Sequence, residues 1–257
     1  MTTVKRLYVL LCGFEVLPKT ISTRDRGARF ILSEPVCAYL LDTAGGWILL
    51  DAGLNPDNLE DPARRAACFS KYGMTPPIVR APHRLDKQLT DIGIGFGDIH
   101  HVILSHLHFD HCGYVRHFPH ATISVQRREY AAAFGAPNPA YIASDYDDAS
   151  LRWDLRDGDW EAAPGISLLD TRGHTAGHQS ALVELPNSGA IILPFDAGDL
   201  QENFDEEVLP GESCDDEAAL RAIRRLKALQ ISHDARMLLF HDPVAIQRMR
   251  LAPEFYD

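Results

Sequence analysis

Four side chains that bind transition metals lie within one stretch of six residues. Residues 106–111 read HLHFDH and directly follow the apolar run HVILS at 101–105. Imidazole nitrogens and carboxylate oxygens together suit zinc, and also iron, manganese or cobalt. A polar surface loop explains one or two hydrogen-bonded histidines, but not so many ligands at the end of a predicted strand. The stretch therefore predicts a metal site.

Three further candidate ligands each follow an apolar run elsewhere in the chain. They are His174, Asp196 and His241. Residues two apart in a loop can turn the same way, so His106 and His108 are expected to hold one ion. The predicted first site is His106, His108 and His174, the predicted second site is Asp110, His111 and His241, and Asp196 bridges the two.

Two divalent ions held in this way would act on a water molecule between them. The pKa of that water would fall from the bulk value toward about 7, which makes hydroxide available at neutral pH. A substrate carbonyl oxygen could rest on one metal, so that the developing oxyanion is stabilised while the bridging hydroxide attacks. The predicted chemistry is metal-dependent hydrolysis.

The elements that must position these ligands are mostly short strands. Helical periodicity is clearest over residues 215–230, where Leu220, Ile223 and Leu226 share one face and Ser213 is the predicted capping residue ahead of Asp216. Strands are predicted for nine apolar runs, at residues 7–11, 36–41, 47–50, 102–104, 121–125, 166–169, 181–185, 190–193 and 237–240.

A short internal repeat suggests that the chain has two similar halves. Residues 47–53 and 191–198 both run from an apolar strand into Asp-Ala-Gly. Two sheets packed face to face with helices outside, an αββα sandwich, would bury all the predicted strands and bring loops from both halves to one edge. We expect this α/β fold, as a single domain over residues 1–257, because no linker composition divides the chain.

Charge and cysteine content limit the possible partners and location. The formal net charge of −11 disfavours nucleic acid, and it mildly favours neutral or cationic small substrates over phosphorylated ones. The five cysteines form no CxxC pair, which fits a reducing cytoplasm. The apolar run at 7–11 is too short for an export signal, and no stretch approaches the length of a membrane span, so no membrane association is expected.

Several segments together resemble the metallo-β-lactamase superfamily. They are HLHFDH, GHTAGHQSALVE and a strand ending in FDAGDLQENFDEEV, and the resemblance extends over most of the chain, from VCAYLLDTAGGWILLDAG to HDP and APEFYD. The metal motif indicates only the superfamily. The DAGxxxENF segment points, within it, to the quorum-quenching N-acyl-homoserine lactonases and the γ-butyrolactone lactonases.

The resemblance implies the metallo-β-lactamase fold with two mixed sheets, a homodimer, and two divalent metal ions, of which zinc is the favoured candidate. It also implies that Asp110 both ligates a metal and carries a proton to the leaving alkoxide. Related lactonases often have Tyr three residues after the bridging Asp, whereas this chain has Asp199, which cannot donate a phenolic hydrogen bond. Asp199 is therefore a candidate catalytic residue, an outer partner of a ligand or a bystander. Phe109 and Tyr141 are candidate substrate-binding residues.

The leading hypothesis is a carboxylic-ester hydrolase that opens a small neutral lactone, of the N-acyl-homoserine lactone or γ-butyrolactone type. The same metals could instead act on another ester, an amide, a thioester or an organophosphate. A metal-loaded sensor without turnover is the non-enzymatic alternative. Metal analysis combined with an activity screen separates these classes.

Overall fold

In the computed structural model, which describes residues 2–135 and 137–257, eleven strands form two mixed sheets. The first sheet has the order β1-β2-β3-β4-β5-β6, and its strands are Val4–Pro18, Ile31–Thr43, Gly46–Leu50, Ile99–Ile103, Thr122–Gln126 and Arg152–Arg156. The second has the order β11-β10-β9-β8-β7, and its strands are, from β7 to β11, Trp160–Ala163, Ile166–Asp170, Gln179–Leu185, Gly189–Leu193 and Arg236–Met237.

Eight α-helices lie in the described part of the chain. In order from α1 to α8 they are Asp57–Glu60, Pro62–Cys68, Leu85–Ile92, Phe109–Cys112, Arg127–Ala133, Ala143–Tyr146, Gln201–Asp205 and Asp216–Ser232. None of the helices in this part is long and apolar enough to span a bilayer.

The two sheets pack face to face over a shared apolar core. Leu41 and Ile103 of the first sheet lie in one buried cluster with Val183 and Ile191 of the second. Side chains alternate along a strand, so the neighbouring residue Leu40 faces the other way. Because both faces of each sheet are buried, helices must cover the outside.

Helices supply that outer cover on both sides. On the first sheet, Leu40 shares a buried cluster with Leu85 and Leu89 of α3. On the second, Ile192 packs in a cluster with Ile223 of α8. The order of layers is helix, sheet, sheet, helix, which confirms the predicted αββα sandwich.

Parallel strand pairs bring the candidate ligands to one edge. β3 and β4 are parallel neighbours, and so are β10 and β11. Parallel strands end at the same edge of a sheet, so the residues that follow β4 lie beside Asp51 after β3. By the same rule Asp196, which follows β10, lies near His241, which follows β11.

Several local predictions were wrong. Strand β6 was not predicted, and the predicted strand 237–240 pairs only over Arg236–Met237. The cap of α8 is Asp215, whose side chain accepts a hydrogen bond from Ala218 N at 3.0 Å. Ser213 instead donates a hydrogen bond to Gly173 O at 3.0 Å. This bond ties the start of the helix to the loop that carries His174.

Candidate metal centre

The structure brings the seven predicted ligands together in two groups that share Asp196. Within each group the candidate ligand atoms lie within 4.8 Å of one another, and every member is buried. One group is His106, His108, His174 and Asp196, and the other is Asp110, His111, Asp196 and His241. This is the division expected from the spacing in the sequence.

The two oxygens of Asp196 face different groups. Oδ1 lies 3.1 Å from Nε2 of His111 and 3.4 Å from Nε2 of His241. Oδ2 lies 3.4 Å from Nε2 of His174 and 3.7 Å from Nε2 of His106. A carboxylate placed in this way can bridge two cations, one per oxygen.

The loop after β4 is held by Asp51, which lies beneath it. Asp51 is fully buried and has a positive φ of 60° at the end of β3. Its Oδ1 accepts from the backbone N of Ser105 at 2.6 Å, and its Oδ2 accepts from Nδ1 of His111 at 2.7 Å. Because Nδ1 of His111 is occupied, its Nε2 is the atom left to face Asp110 and Asp196. Asp51 therefore orients both His111 and the loop after β4.

The other imidazoles are oriented by backbone carbonyls. Nδ1 of His174 donates to Glu212 O at 3.0 Å, and Nδ1 of His241 donates to Pro35 O at 2.9 Å. Such a hydrogen bond sets the tautomer and turns the opposite nitrogen toward the cluster. The Nε2 atoms of both rings therefore point toward the site.

Buried polar atoms without partners test whether these residues fit metal ions. Among the described residues, six buried side-chain N or O atoms have no hydrogen-bond partner. Three belong to the cluster: Nε2 of His106, Nε2 of His111 and Oδ1 of Asp196. An unpaired buried polar atom is costly, and several converging on one point are expected where a cation completes their coordination. The donor set fits two metal ions.

Two imidazoles of the first group, those of His106 and His108, are held neutral. Burial lowers the pKa of His106 well below its usual value, and the neighbouring His111 lowers it further. Burial and His174 lower the pKa of His108 to about 3. A neutral imidazole keeps the lone pair that a metal needs.

The second group lies in a strongly negative potential. Burial alone would lower the pKa of His241, but the carboxylates of Asp196, Asp199 and Asp110 together outweigh burial and raise it to about 10. Burial opposes the charge of His111 as well, yet Asp110, Asp196 and Asp51 together raise its pKa well above the usual value. The carboxylates thus stabilise positive charge at this position, which is what a second cation would supply.

Residues outside the predicted set hold the metal loops in place. Glu129, fully buried on α5, accepts hydrogen bonds from Leu107 N at 3.1 Å and from Gly177 N at 3.0 Å. It thereby joins the loop of residues 106–111 to the loop of residues 171–178. Nothing in the local sequence distinguishes this glutamate from a solvated helical one, so the sequence analysis missed it.

A cavity of about 620 Å³ opens over the cluster. Phe109, Asp110 and Asp199 line it, together with Asp196. Tyr141 instead packs behind His108, with 4.9 Å between ring centroids, and its hydroxyl donates to Glu129 Oε1 at 2.9 Å. Phe109 is thus placed to meet a ligand, whereas the Tyr141 hydroxyl is already used.

Comparisons with known proteins agree with this fold. The model of the metallo-beta-lactamase superfamily matches residues 34–232. An N-acyl homoserine lactonase of Bacillus sp is 34% identical over 253 residues, which are 98% of this chain and 99% of the relative.

Two solved structures are similar over their whole length. One is a mutant of AiiA from B. thuringiensis with N-decanoyl-L-homoserine bound at the active site, with a TM-score of 0.90, 33% identity and coverage of 99% of this chain and 100% of that one. Another is an N-acyl homoserine lactone hydrolase with the product N-hexanoyl-L-homoserine bound at the catalytic metal centre, with a TM-score of 0.87, 32% identity and coverage of 99% and 100%. The chain therefore belongs to the metallo-β-lactamase superfamily and, within it, to the family of the N-acyl homoserine lactonases.

Proposed function

We propose that this protein is a dinuclear metal-dependent hydrolase that opens a lactone ring. The observation that carries the proposal is the position of Asp196, whose two oxygens face two separate groups of ligand atoms at the floor of a cavity. The related hydrolase with a product at its catalytic metal centre supports the same use of this cavity.

The residues assigned to the first ion are His106, His108, His174 and Asp196, and those assigned to the second are Asp110, His111, His241 and Asp196. When bound, two divalent ions supply Lewis-acid chemistry, because they acidify water and polarise a carbonyl oxygen. The mixture of imidazole and carboxylate favours zinc, with iron, manganese or cobalt as alternatives.

Asp110 is the residue that we assign to proton transfer. Asp110 is 4% exposed and lines the cavity, and its Oδ2 lies 2.9 Å from Nε2 of His111. Hydrolysis adds water to the acyl carbon, breaks the ring C–O bond and delivers one proton to the alkoxide that leaves. A carboxyl group on the cavity floor can carry that proton. The ring of Phe109, which also lines the cavity, would contact the apolar part of the substrate.

We further propose a single domain and a homodimer in a reducing compartment such as the cytoplasm. A shared core between the two sheets supports the first point. The five cysteines, all present as free thiols, support the last. Substrate contact by Tyr141 and a catalytic part for Asp199 also stay predictions.

The test is ring opening measured together with metal content. Freshly purified protein is assayed by pH-stat on γ-butyrolactone, on N-acyl-homoserine lactones of short and long chain, and on a phenyl ester. We expect about two metal ions per chain and lactone turnover that a chelator abolishes and zinc restores. His241→Ala should lose activity, whereas His233→Ala, at an exposed position, serves as its control.

Other outcomes would change the assignment. Turnover of the ester but no lactone would keep the metal site and replace the substrate class. Two bound ions with no hydrolysis of any compound would support a metal-loaded sensor. Lactone turnover that survives complete removal of metal would overturn the proposal.

A further inference from the structure

Two glutamates face each other across the first pair of strands, beside the metal centre. Glu15 on β1 and Glu34 on β2 are directly opposite in the antiparallel register. Side chains opposite each other are roughly 5 Å apart at Cβ, and like charges in such a pair are destabilising. Both residues line the cavity. Two carboxyl groups placed face to face at this position suggest a use for the pair.

A third carboxyl group completes the same wall of the cavity. Asp199 lines the cavity, is 8% exposed, and has a buried Oδ1 with no hydrogen-bond partner. We call Glu15, Glu34 and Asp199 the acidic wall. A buried acceptor without a donor is costly, and a ligand that donates to it removes that cost.

The acidic wall adjoins the ligand residues of the metal centre. Asp199 is three residues after the bridging Asp196. Glu34 directly precedes Pro35, whose carbonyl accepts the hydrogen bond from His241. A group bound at the wall would therefore share one cavity with a carbonyl group bound at the metals.

Apart from His241, which favours the ionised form of all three groups but is assigned to the metals, the protein itself provides little compensation for these carboxyl groups. Over residues 2–135 and 137–257, no lysine, arginine or histidine forms an ion pair with Glu15, Glu34 or Asp199. Glu34 accepts only from Ser22, whose hydroxyl lies 2.7 Å from Oε1 and 2.8 Å from Oε2. Lys19 and Arg26, which lie nearby in sequence, pair with Glu202 instead.

A third metal ion does not fit the wall. In the described residues, the groups of ligand atoms close enough for one ion are the two that share Asp196, and neither includes a wall residue. An organic cation tolerates a wider spacing, because each of its N–H groups can reach a separate oxygen. Two divalent ions held by only two carboxylates, Asp110 and Asp196, would leave an excess of positive charge at the metals. The three wall carboxylates would offset that excess and leave room for one further positive charge.

We propose that the acidic wall binds a protonated amino group next to the reactive carbonyl, so that the preferred substrates are α-amino lactones and α-amino esters. The inference rests on the proposed function and narrows its substrate class. The amine would donate hydrogen bonds to Glu15, Glu34 and Asp199 while the ester carbonyl lies over the metals. The net charge of −11 on the whole chain would also attract such a cation.

The test compares substrates that differ only at the amine. They are α-amino-γ-butyrolactone, its N-acetyl derivative, its N,N,N-trimethyl derivative and γ-butyrolactone. Each kcat/KM is divided by the rate constant for hydroxide-catalysed hydrolysis, because an α-ammonium group makes any ester more reactive. Binding of homoserine and of N-acetylhomoserine is measured by calorimetry, which does not depend on turnover.

We expect normalised kcat/KM to be about tenfold or more higher for the free amine than for its N-acetyl derivative. Homoserine, the open product with a free amine, should likewise bind about tenfold or more tightly than N-acetylhomoserine. The advantage of the amine should fall as rising pH deprotonates it. The trimethyl compound has a fixed charge but no N–H donor, so its advantage should be smaller and should not change with pH. Glu15→Gln and Asp199→Asn should reduce the preference for a cation. Glu184→Gln, which removes the same charge from an exposed position on β9, should leave the preference unchanged.

Each remaining outcome overturns the inference or the proposed function separately. Lactone turnover with equal normalised rates for all four compounds would refute the wall as a cation site and keep the lactonase. In Glu15→Gln, an equal fall in kcat/KM for all four substrates together with loss of metal would show that the wall balances the charge of the metals. That result would refute recognition of the amine by the wall. No lactone turnover with tenfold tighter binding of homoserine would refute the lactonase and keep the wall.

Discussion

The imidazole of His178 accepts a hydrogen bond from the backbone N–H of Asp196, with 3.1 Å between Nε2 and N. Its Nδ1 donates to Thr171 O at 3.1 Å. Burial, with a further effect of His174, lowers the pKa of His178 to about 3, so the ring stays a neutral acceptor above that pH. His178 thus positions the backbone of Asp196, the residue that the two groups share, without belonging to either group.

Replacing His178 should weaken metal binding. We expect His178→Ala to lower the affinity for zinc about 10- to 100-fold, as is typical when a residue that orients a ligand is lost. Competition with a chromophoric chelator measures the affinity. His178→Gln, which offers an acceptor oxygen, should recover part of it, and His233→Ala is the control. Unchanged affinity in His178→Ala would contradict the positioning role.

Replacing Asp196 should remove the bridge. Asp196→Ala is expected to retain fewer than two ions per chain and to lose ring-opening activity, because each half of the site loses an oxygen ligand. Elemental analysis and circular dichroism measure metal content and folding. Asp205→Ala, at an exposed position on α7, should retain both ions. An Asp196→Ala protein with two ions and full activity would refute the site.

Replacing Glu129 should destabilise the junction of the two metal loops. In Glu129→Ala, the donors of Leu107, Gly177 and Tyr141 lose their acceptor. Leaving buried donors unpaired should lower the free energy of unfolding by about 3 kcal/mol or more. Urea denaturation measures it. Glu129→Gln keeps one acceptor oxygen and should lose less, so equal losses in the two variants would argue against this account.

Asp145 should make stability depend on pH in the acidic range. Burial raises its pKa to about 6, despite hydrogen bonds from Asn55 and Asn58. Between the unfolded pKa near 3.8 and the folded pKa near 6, the unfolded state binds fewer protons. Stability contributed by Asp145 is therefore present below about pH 4 and is lost as the pH rises to about 6, by roughly 3 kcal/mol in total.

The variant Asp145→Asn isolates this effect. The free energy of unfolding is measured in urea with a chelator present. The difference between the variant and the wild type should shift in favour of the variant as pH rises from about 4 to about 7. The constant offset from altered hydrogen bonds to Asn55 and Asn58 cancels in the pH dependence. Parallel curves for the two proteins would show that Asp145 titrates normally.

The parts of the fold that could be predicted are those with a strong local pattern. Helix α8 was predicted within two residues at its C-terminal end, because its apolar face repeats over four turns. Strand β6 was missed, since Arg152–Arg156 is charged and only half-buried, and an edge strand needs no apolar run. The cap of α8 was assigned to Ser213 rather than Asp215, because a hydroxyl suits either a helix N-terminus or a loop carbonyl.

By itself, the sequence determined the metal chemistry of this protein. His106, His108, Asp110 and His111 are neighbours in the chain, so their convergence needs only a strand and a turn. What the tertiary structure decided is which distant residues join them: Glu129 behind the metal loops, and Glu15 opposite Glu34 beside Asp199. Strand register and sheet packing create these contacts, and neither depends on residues adjacent in sequence. The metals follow from local spacing, whereas the acidic wall, and with it the proposed substrate, follows from the fold.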